Sequence, residues 1–251
     1  MKIVRCRTDR GIRYGLLKGE AVFLLEGTPF GGIKPSGEVV ALSAVKLLAP
    51  CEPSKIVAVG INYAPHAKEL DFQIPPEPLL FLKPSTSVIG PDEDIILPAM
   101  SGQVDYEGEL AVVIGRRTKN VSQAEALDAV LGYTCCNDVT ARDLQKKDVQ
   151  FTRSKGFDTF APLGPCIETE LDPCDVVVRS FVNKEKRQEA NTSTMIRSVA
   201  ELISFISQVM TLLPGDVIAT GTPAGVGRLQ DGDRVTVAVD SIGTLSNPVR
   251  G

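Results

Sequence analysis

Short apolar runs, alternating or continuous and punctuated by glycine and proline, dominate the chain from its start. Lys2–Arg5, Tyr14–Leu17 and Ala21–Leu25 read as strands between turn residues, and a Gly/Pro-containing stretch, Gly27–Gly37, follows them. Residues 1–52 are therefore expected to form a small β-rich N-terminal segment. From residue 53 the pattern strengthens. Lys55–Gly60 (KIVAVG) reads as a buried strand, and Pro75, Pro76 and Pro78 enforce an extended, non-helical stretch behind it. Further strands are expected at Glu107–Ile114, Leu131–Asn137, Val176–Asn183, Asp216–Thr220 and Arg234–Asp240. Two helices are marked by S-x-x-E capping boxes, Ser122 with Glu125 and Ser198 with Glu201, and Thr140 with Asp143 is a third capping candidate. The second helix carries Val199, Leu202, Ile203, Ile206, Val209, Met210 and Leu213 at helical spacing and should stop at Pro214-Gly215. Many strands with few crossover-length helices predict an α+β class built on mixed sheet, with residues 53–251 as one domain of catalytic size.

Composition narrows the function. The 251 residues carry 31 acidic and 27 basic side chains, a net charge of −4, with 43% hydrophobic residues, so the chain folds around a core and is not disordered. No Lys/Arg cluster offers the concentrated positive charge that nucleic acid requires. The opening MKIVRCRTDRGIRYG lacks the apolar run of a secretory signal, and no window approaches the roughly 18 apolar residues of a membrane span, so a cytoplasmic protein is expected. Six cysteines without a C-x-x-C pair read as reduced thiols.

Glu107 and Glu109 stand two apart at the head of a strong strand and would face the same side. Their repulsion is relieved most simply by a cation between them, although the pair taken alone reads more readily as a solvated strand face. Asp138 ends another strand, where it is a third hard oxygen ligand or an ordinary cap. Three carboxylates with no nearby histidine or cysteine favour Mg²⁺, Mn²⁺ or Ca²⁺ over zinc. The single histidine, His66, lies three residues before Glu69. In a helical turn the carboxylate would fix the imidazole tautomer and raise its basicity, and the bland alternative is an exposed His/Glu pair. Lys155 sits in a Gly-containing loop and reads equally as a surface lysine. The run Gly221–Gly227 follows a strand but matches neither a dinucleotide nor a P-loop pattern.

Together G-I-N-Y-A-P-H66-A-K-E69, F-L-K83-P-S, D-Y-E107-G-E109-L, N-D138-V-T-A-R142-D-L-Q145, S-K155-G-F-D and A-T-G-T222-P-A-G-V-G resemble the fumarylacetoacetate hydrolase family, in order from about residue 55 to 247. The likeness is to its short acylpyruvase or 2-hydroxyhepta-2,4-diene-1,7-dioate isomerase-like members. The resemblance implies a mixed β-roll, a homodimer, and one divalent cation, commonly Mg²⁺, on Glu107, Glu109 and Asp138. It implies catalytic roles for His66, Glu69 and Lys155 and substrate contacts from Arg142, Gln145, Thr222 and Lys83, with a 2-oxo acid as substrate. Val59 stands where the eponymous hydrolases place a fourth carboxylate. The expected reaction is C–C hydrolysis of a 2,4-dioxo acid, acylpyruvate or fumarylpyruvate in type. Isomerisation of a hydroxyheptadienedioate or decarboxylation of oxaloacetate is the alternative. A metal-binding protein without turnover, and a cysteine hydrolase pairing Cys135 or Cys136 with His66, are further readings.

Overall fold

The computed structural model describes all residues, 1–251. The first fifty residues form β1 (Lys2–Thr8), β2 (Gly11–Lys18), β3 (Ala21–Leu25), β4 (Pro35–Ala41) and β5 (Lys46–Leu48). Next come β6 (Ile56–Gly60), the short helix α1 (Ala64–Glu69), β7 (Leu79–Lys83), β8 (Val88–Ile89), β9 (Ile95–Ile96), β10 (Val104–Tyr106) and β11 (Gly108–Ile114). The middle of the chain holds α2 (Gln123–Ala126), β12 (Val130–Asn137), β13 (Thr140–Ala141), α3 (Arg142–Lys147), α4 (Thr152–Lys155) and β14 (Ala161–Glu168). The last part runs through β15 (Val177–Val182), β16 (Glu185–Asn191), α5 (Val199–Val209), β17 (Val217–Ala219), β18 (Gly227–Arg228), β19 (Arg234–Val239) and β20 (Gly243–Arg250).

A 12-stranded sheet runs β4-β3-β2-β1-β14-β12-β11-β17-β6-β7, with β5 on β1 and β8 on β14. A five-stranded sheet, β16-β15-β19-β20-β9, and a three-stranded one, β13-β10-β18, complete the α+β fold. Most pairs are antiparallel, but β17–β6, β14–β8 and β20–β9 are parallel. The central strands are apolar along most of their length because both their faces are covered, and their polar residues gather toward one end, at Glu109 and Asn137. Val57, Val59, Leu110, Val112 and Ile114 face α5 and the five-stranded sheet through Leu202, Ile203, Ile206, Val178 and Val237. The alternate residues Ile56, Ala58, Ala111, Val113 and Val217 face Tyr14 and Leu25 of the N-terminal strands. Truncating Leu110, in the core under α5, to alanine would cost about 2–5 kcal/mol. A third core, with Val104, Tyr106, Val139, Leu144 and Phe160, lies under β10, β13 and α3.

Of three capping expectations, two need correction. The Ser122 box is present, with Glu125 accepting from the Ser122 N–H and hydroxyl at the head of α2, a helix of four residues. The Ser198 hydroxyl accepts from the Glu201 N–H, whereas the Glu201 carboxylate turns to Arg197 because a cation outcompetes a backbone amide for it. Thr140 caps nothing. It lies in β13 and donates to the Asp138 carbonyl, α3 starts at Arg142, and the Asp143 carboxylate binds the Ser101 hydroxyl and Gly102 N–H. Helix α5 ends at Val209, short of Pro214, and leaves Val209 and Leu213 exposed while Leu212 is buried. The sequence pattern also passes over β14, β16 and β20. In the edge strand β16 only Gln188 is buried, so no apolar alternation marks it.

Candidate metal and acid–base site

Antiparallel pairing of β11 with β12 sets Gly108 opposite Asn137, which brings Glu107, Glu109 and Asp138 to one end of the sheet. Glu107 occupies the break between β10 and β11. Its N–H donates to Asn137 Oδ1 (2.9 Å), and its carbonyl accepts from the Asp138 N–H (2.8 Å). All three carboxylates are buried, with oxygens within 4.8 Å of one another. A glycine is required at 108, because a Cβ there would stand 2.0 Å from Ser180 Oγ.

Each acid has one oxygen anchored by a buried donor. The Arg142 guanidinium holds Glu107 Oε1, Lys83 Nζ holds Asp138 Oδ1 (2.6 Å), and the Gly221 N–H holds Glu109 Oε2 (2.8 Å). Of the remaining oxygens, Glu107 Oε2 and Asp138 Oδ2 share the Lys155 ammonium, 2.7 Å from each, and Glu109 Oε1 has no hydrogen-bond partner. Burial alone would raise the Glu107 carboxyl, but the charges of Lys155, Arg142 and His66 outweigh it and hold the group well below the usual range. Glu109 goes the other way. Burial, then the charges of Asp138 and Glu107, push it well above the ordinary carboxylate range. Burial likewise lowers Lys83 against the pull of Asp138, whereas Lys155 is raised despite burial by Asp138 and Glu107. The cluster therefore wants positive charge at its centre, and Lys155 supplies part of it. An all-oxygen set suits a hard divalent cation, which it can hold on Glu107, Glu109 and Asp138.

The acid–base pair comes from α1, started by Pro65 in its first turn. His66 is buried, and its Nδ1 lies 3.0 Å from Glu69 Oε2. Glu69 Oε1 accepts from the Gly225 N–H (2.9 Å), and the Gly225 carbonyl accepts from the Tyr106 hydroxyl (2.8 Å). Gly225 has φ +102°, and a Cβ there would sit 2.2 Å from the Arg187 carbonyl oxygen, so only glycine fits. Asn62 secures the chain ahead of α1, with Nδ2 donating to the Arg197 and Thr220 carbonyls and Oδ1 accepting from the Arg197 N–H.

These groups surround a cavity of about 510 Å³, counting its open mouth. His66, Glu107, Glu109, Asp138, Arg142, Gln145, Lys155 and Thr222 line it, and Leu70, Phe72, Leu79, Phe81 and Phe151 form an apolar wall. Glu69 and Lys83 stand behind the lining, against His66 and Asp138. The Thr222 hydroxyl is committed within the protein: it donates to the Gly108 carbonyl and accepts from Gln188 Nε2. Gln145 Oε1 accepts from Arg142 (2.6 Å), which leaves its amide N–H groups free. Lys155 stacks over the Phe81 ring, 4.9 Å from its centroid, and is no surface lysine. The nucleophilic-cysteine reading fails. Cys135 and Cys136 are buried in the two sheet-face cores, outside the cavity, and burial pushes both thiols up. All six cysteines are free.

Sequence reading overlooked Asp105, Tyr106, Asn62, Asn137 and Gln188, which orient the groups above. Asp105 and Tyr106 stand inside the D-Y-E-G-E run, and a polar residue in an otherwise apolar strand was the signal available.

Residues 55–250 match the family model described as fumarylacetoacetate (FAA) hydrolase C-terminal, and residues 1–50 match one described as Rv2993c-like, N-terminal. The fold is similar to the solved 5-carboxymethyl-2-hydroxymuconate delta-isomerase from Mycobacterium smegmatis, at TM-score 0.95 and 47% identity, covering 100% of this chain and 99% of that one. It is similar in the same way to 2-hydroxyhepta-2,4-diene-1,7-dioate isomerase from Mycobacterium marinum, at TM-score 0.94 and 47% identity, covering 100% of this chain and 98% of that one. The mitochondrial oxaloacetate tautomerase fahd2 of Xenopus laevis is 42% identical over 224 residues, 84% of this chain and 70% of that protein. No helix is long and apolar enough to cross a membrane.

Proposed function

Because the chain belongs to the fumarylacetoacetate hydrolase C-terminal family, we propose that it is a divalent-metal-dependent enzyme that forms the enolate of a 2-oxo acid and hydrolyses a C–C bond of a 2,4-dioxo acid. The observation that carries this reading is a paired imidazole, His66–Glu69, in the same cavity as a buried three-carboxylate cluster. A cation such as Mg²⁺ on Glu107, Glu109 and Asp138 would supply Lewis-acid polarisation of the substrate's carboxylate and 2-oxo oxygens.

The chain's own residues do the rest. Glu69 accepts from Nδ1–H and so leaves His66 Nε2 as the base. His66 takes a proton from water, whose oxygen bonds to the distal carbonyl carbon. The bond from that carbon to C3 breaks, its electron pair passes to C3 as the enolate of pyruvate, and a proton returned to C3 completes the products. The Lys155 ammonium holds the negative charge that develops on the enolate oxygen. Arg142 keeps Gln145 turned so that its free amide N–H groups face substrate oxygens. The apolar wall of Phe72, Phe81 and Phe151 would pack against the carbon chain of the substrate.

A second reading is supported by the names of the relatives, two isomerases and a tautomerase. In it the same pair moves a proton at C3 of a 2-oxo dioate and no bond to C3 is broken. The test compares pyruvate release from acetylpyruvate with enol–keto interconversion of oxaloacetate, followed by the ultraviolet absorbance of the enol, with and without Mg²⁺. Pyruvate release that falls about 10²–10⁴-fold in His66→Ala supports hydrolysis. Oxaloacetate interconversion without acetylpyruvate cleavage transfers the assignment to the isomerase reading, and no Mg²⁺ dependence of either reaction defeats both.

A further inference from the structure

We propose that Asp105, which does not line the cavity, is the positioning residue of the metal cluster: it fixes Arg142 so that Glu107 offers only one oxygen to the guanidinium and turns the other to the centre. This inference rests on the cation reading above.

Asp105 is buried in β10. Its Oδ2 accepts from Arg142 Nε (2.8 Å), and both its oxygens accept from Gln103 Nε2 (3.1 and 3.3 Å). The backbone repeats the connection, because the Arg142 N–H donates to the Gln103 carbonyl (2.8 Å). Every nitrogen of the guanidinium is thereby assigned: Nε to Asp105, one amino group to Gln145 Oε1 and the other to Glu107 Oε1. An arginine fork prefers to engage a carboxylate through two parallel N–H groups. With Nε held from behind, the fork cannot turn to take both oxygens of Glu107, and Oε2 stays directed at Asp138 and Lys155. Without Asp105 a buried Nε–H loses its acceptor. The guanidinium then re-pairs across Glu107 Oε1 and Oε2, which removes one oxygen from the cation's set and releases Gln145 from its orientation. Outer partners of metal ligands act in this way, and their loss costs about 10–100-fold in metal affinity.

The test is isothermal titration of the intact protein with Mn²⁺ or Mg²⁺, alongside kcat and KM. Asp105→Leu, which keeps the side-chain size and offers Nε no acceptor, should weaken cation affinity about tenfold or more and raise KM through Gln145. In the double variant Asp105→Leu/Arg142→Lys the losses should fall short of additive, because lysine has no fork to redirect. Should Asp105→Leu not fold, Gln103→Leu, which loosens Asp105 without removing its charge, should show the same shift in smaller measure. Cation affinity equal to wild type in whichever of these variants folds overturns the inference. Absence of cation binding in the wild-type protein overturns the metal reading instead.

Discussion

The carboxylate floor and the His66–Glu69 pair face each other across one cavity, yet they are built in opposite ways. The floor stands on strand ends of the central sheet, with at least one oxygen of every acid anchored by Arg142, Lys83 or the Gly221 N–H. The pair stands on a six-residue helix, and Glu69, with 31% of its side chain exposed, is held by a single backbone amide from Gly225. Burying several charges together demands that each be paired, so the floor is over-determined by its own electrostatics. The pair, one imidazole beside one carboxylate, gathers fewer charges and is held by fewer partners. The difference teaches that the two halves should respond separately to substitution: the floor through stability and cation binding, the pair through turnover.

The sharpest break is Glu107→Ala, which strips Arg142 and Lys155 of a shared partner in a buried site. Chemical denaturation should show a loss of about 3–5 kcal/mol, and titration should show no cation binding. A loss below about 1 kcal/mol would mean that the floor is not electrostatically committed. Glu69→Gln should do the reverse. Turnover should fall about 10²-fold as the tautomer and basicity of His66 are lost, with cation affinity unchanged and stability within about 1 kcal/mol. Equal damage to cation affinity would erase the distinction between the halves. Gly225→Ala forces a Cβ toward the Arg187 carbonyl at φ +102°. It should cost about 1–3 kcal/mol by thermal or urea unfolding and lower kcat through Glu69, leaving the Mn²⁺ titration as in wild type. At the bottom of the scale, Val149→Ser alters a residue 93% exposed on the α3–α4 connection. Its effect on stability should stay within about 0.5 kcal/mol, and a larger change would show that this connection carries weight the contacts do not reveal.

Legibility followed the same division. The carboxylates, His66 with Glu69, and Lys155 could be read because strand and helix periodicities place i+2 and i+3 neighbours on one face, and because resemblance aligned the separate stretches. Thr222 was chosen as a substrate contact, and it does line the cavity, but its hydroxyl is used to bind Gly108 and Gln188. The Gly221–Gly227 run matches no nucleotide-binding pattern, and its amides at Gly221 and Gly225 approach Glu109 and Glu69, which no local pattern could disclose. Thr140 was misjudged as a cap because T-x-x-D has the spacing of one, while pairing with β10 made it a strand residue. Strand β16 escaped notice because an edge strand with exposed faces need not alternate.

The chain by itself determined the secondary-structure class, the apolar central strands and which acids stand next to which along the polymer, because these depend on neighbours a few residues apart. Only the tertiary structure decided which oxygen of each acid is anchored, that Asp105 stands behind Arg142, and that the loop after β17 supports the helix bearing the histidine. Hydrogen bonds of that kind join residues 37 and 156 positions apart. Their geometry is fixed by sheet register and by the need to pair every buried charge, conditions that exist only once the chain has folded.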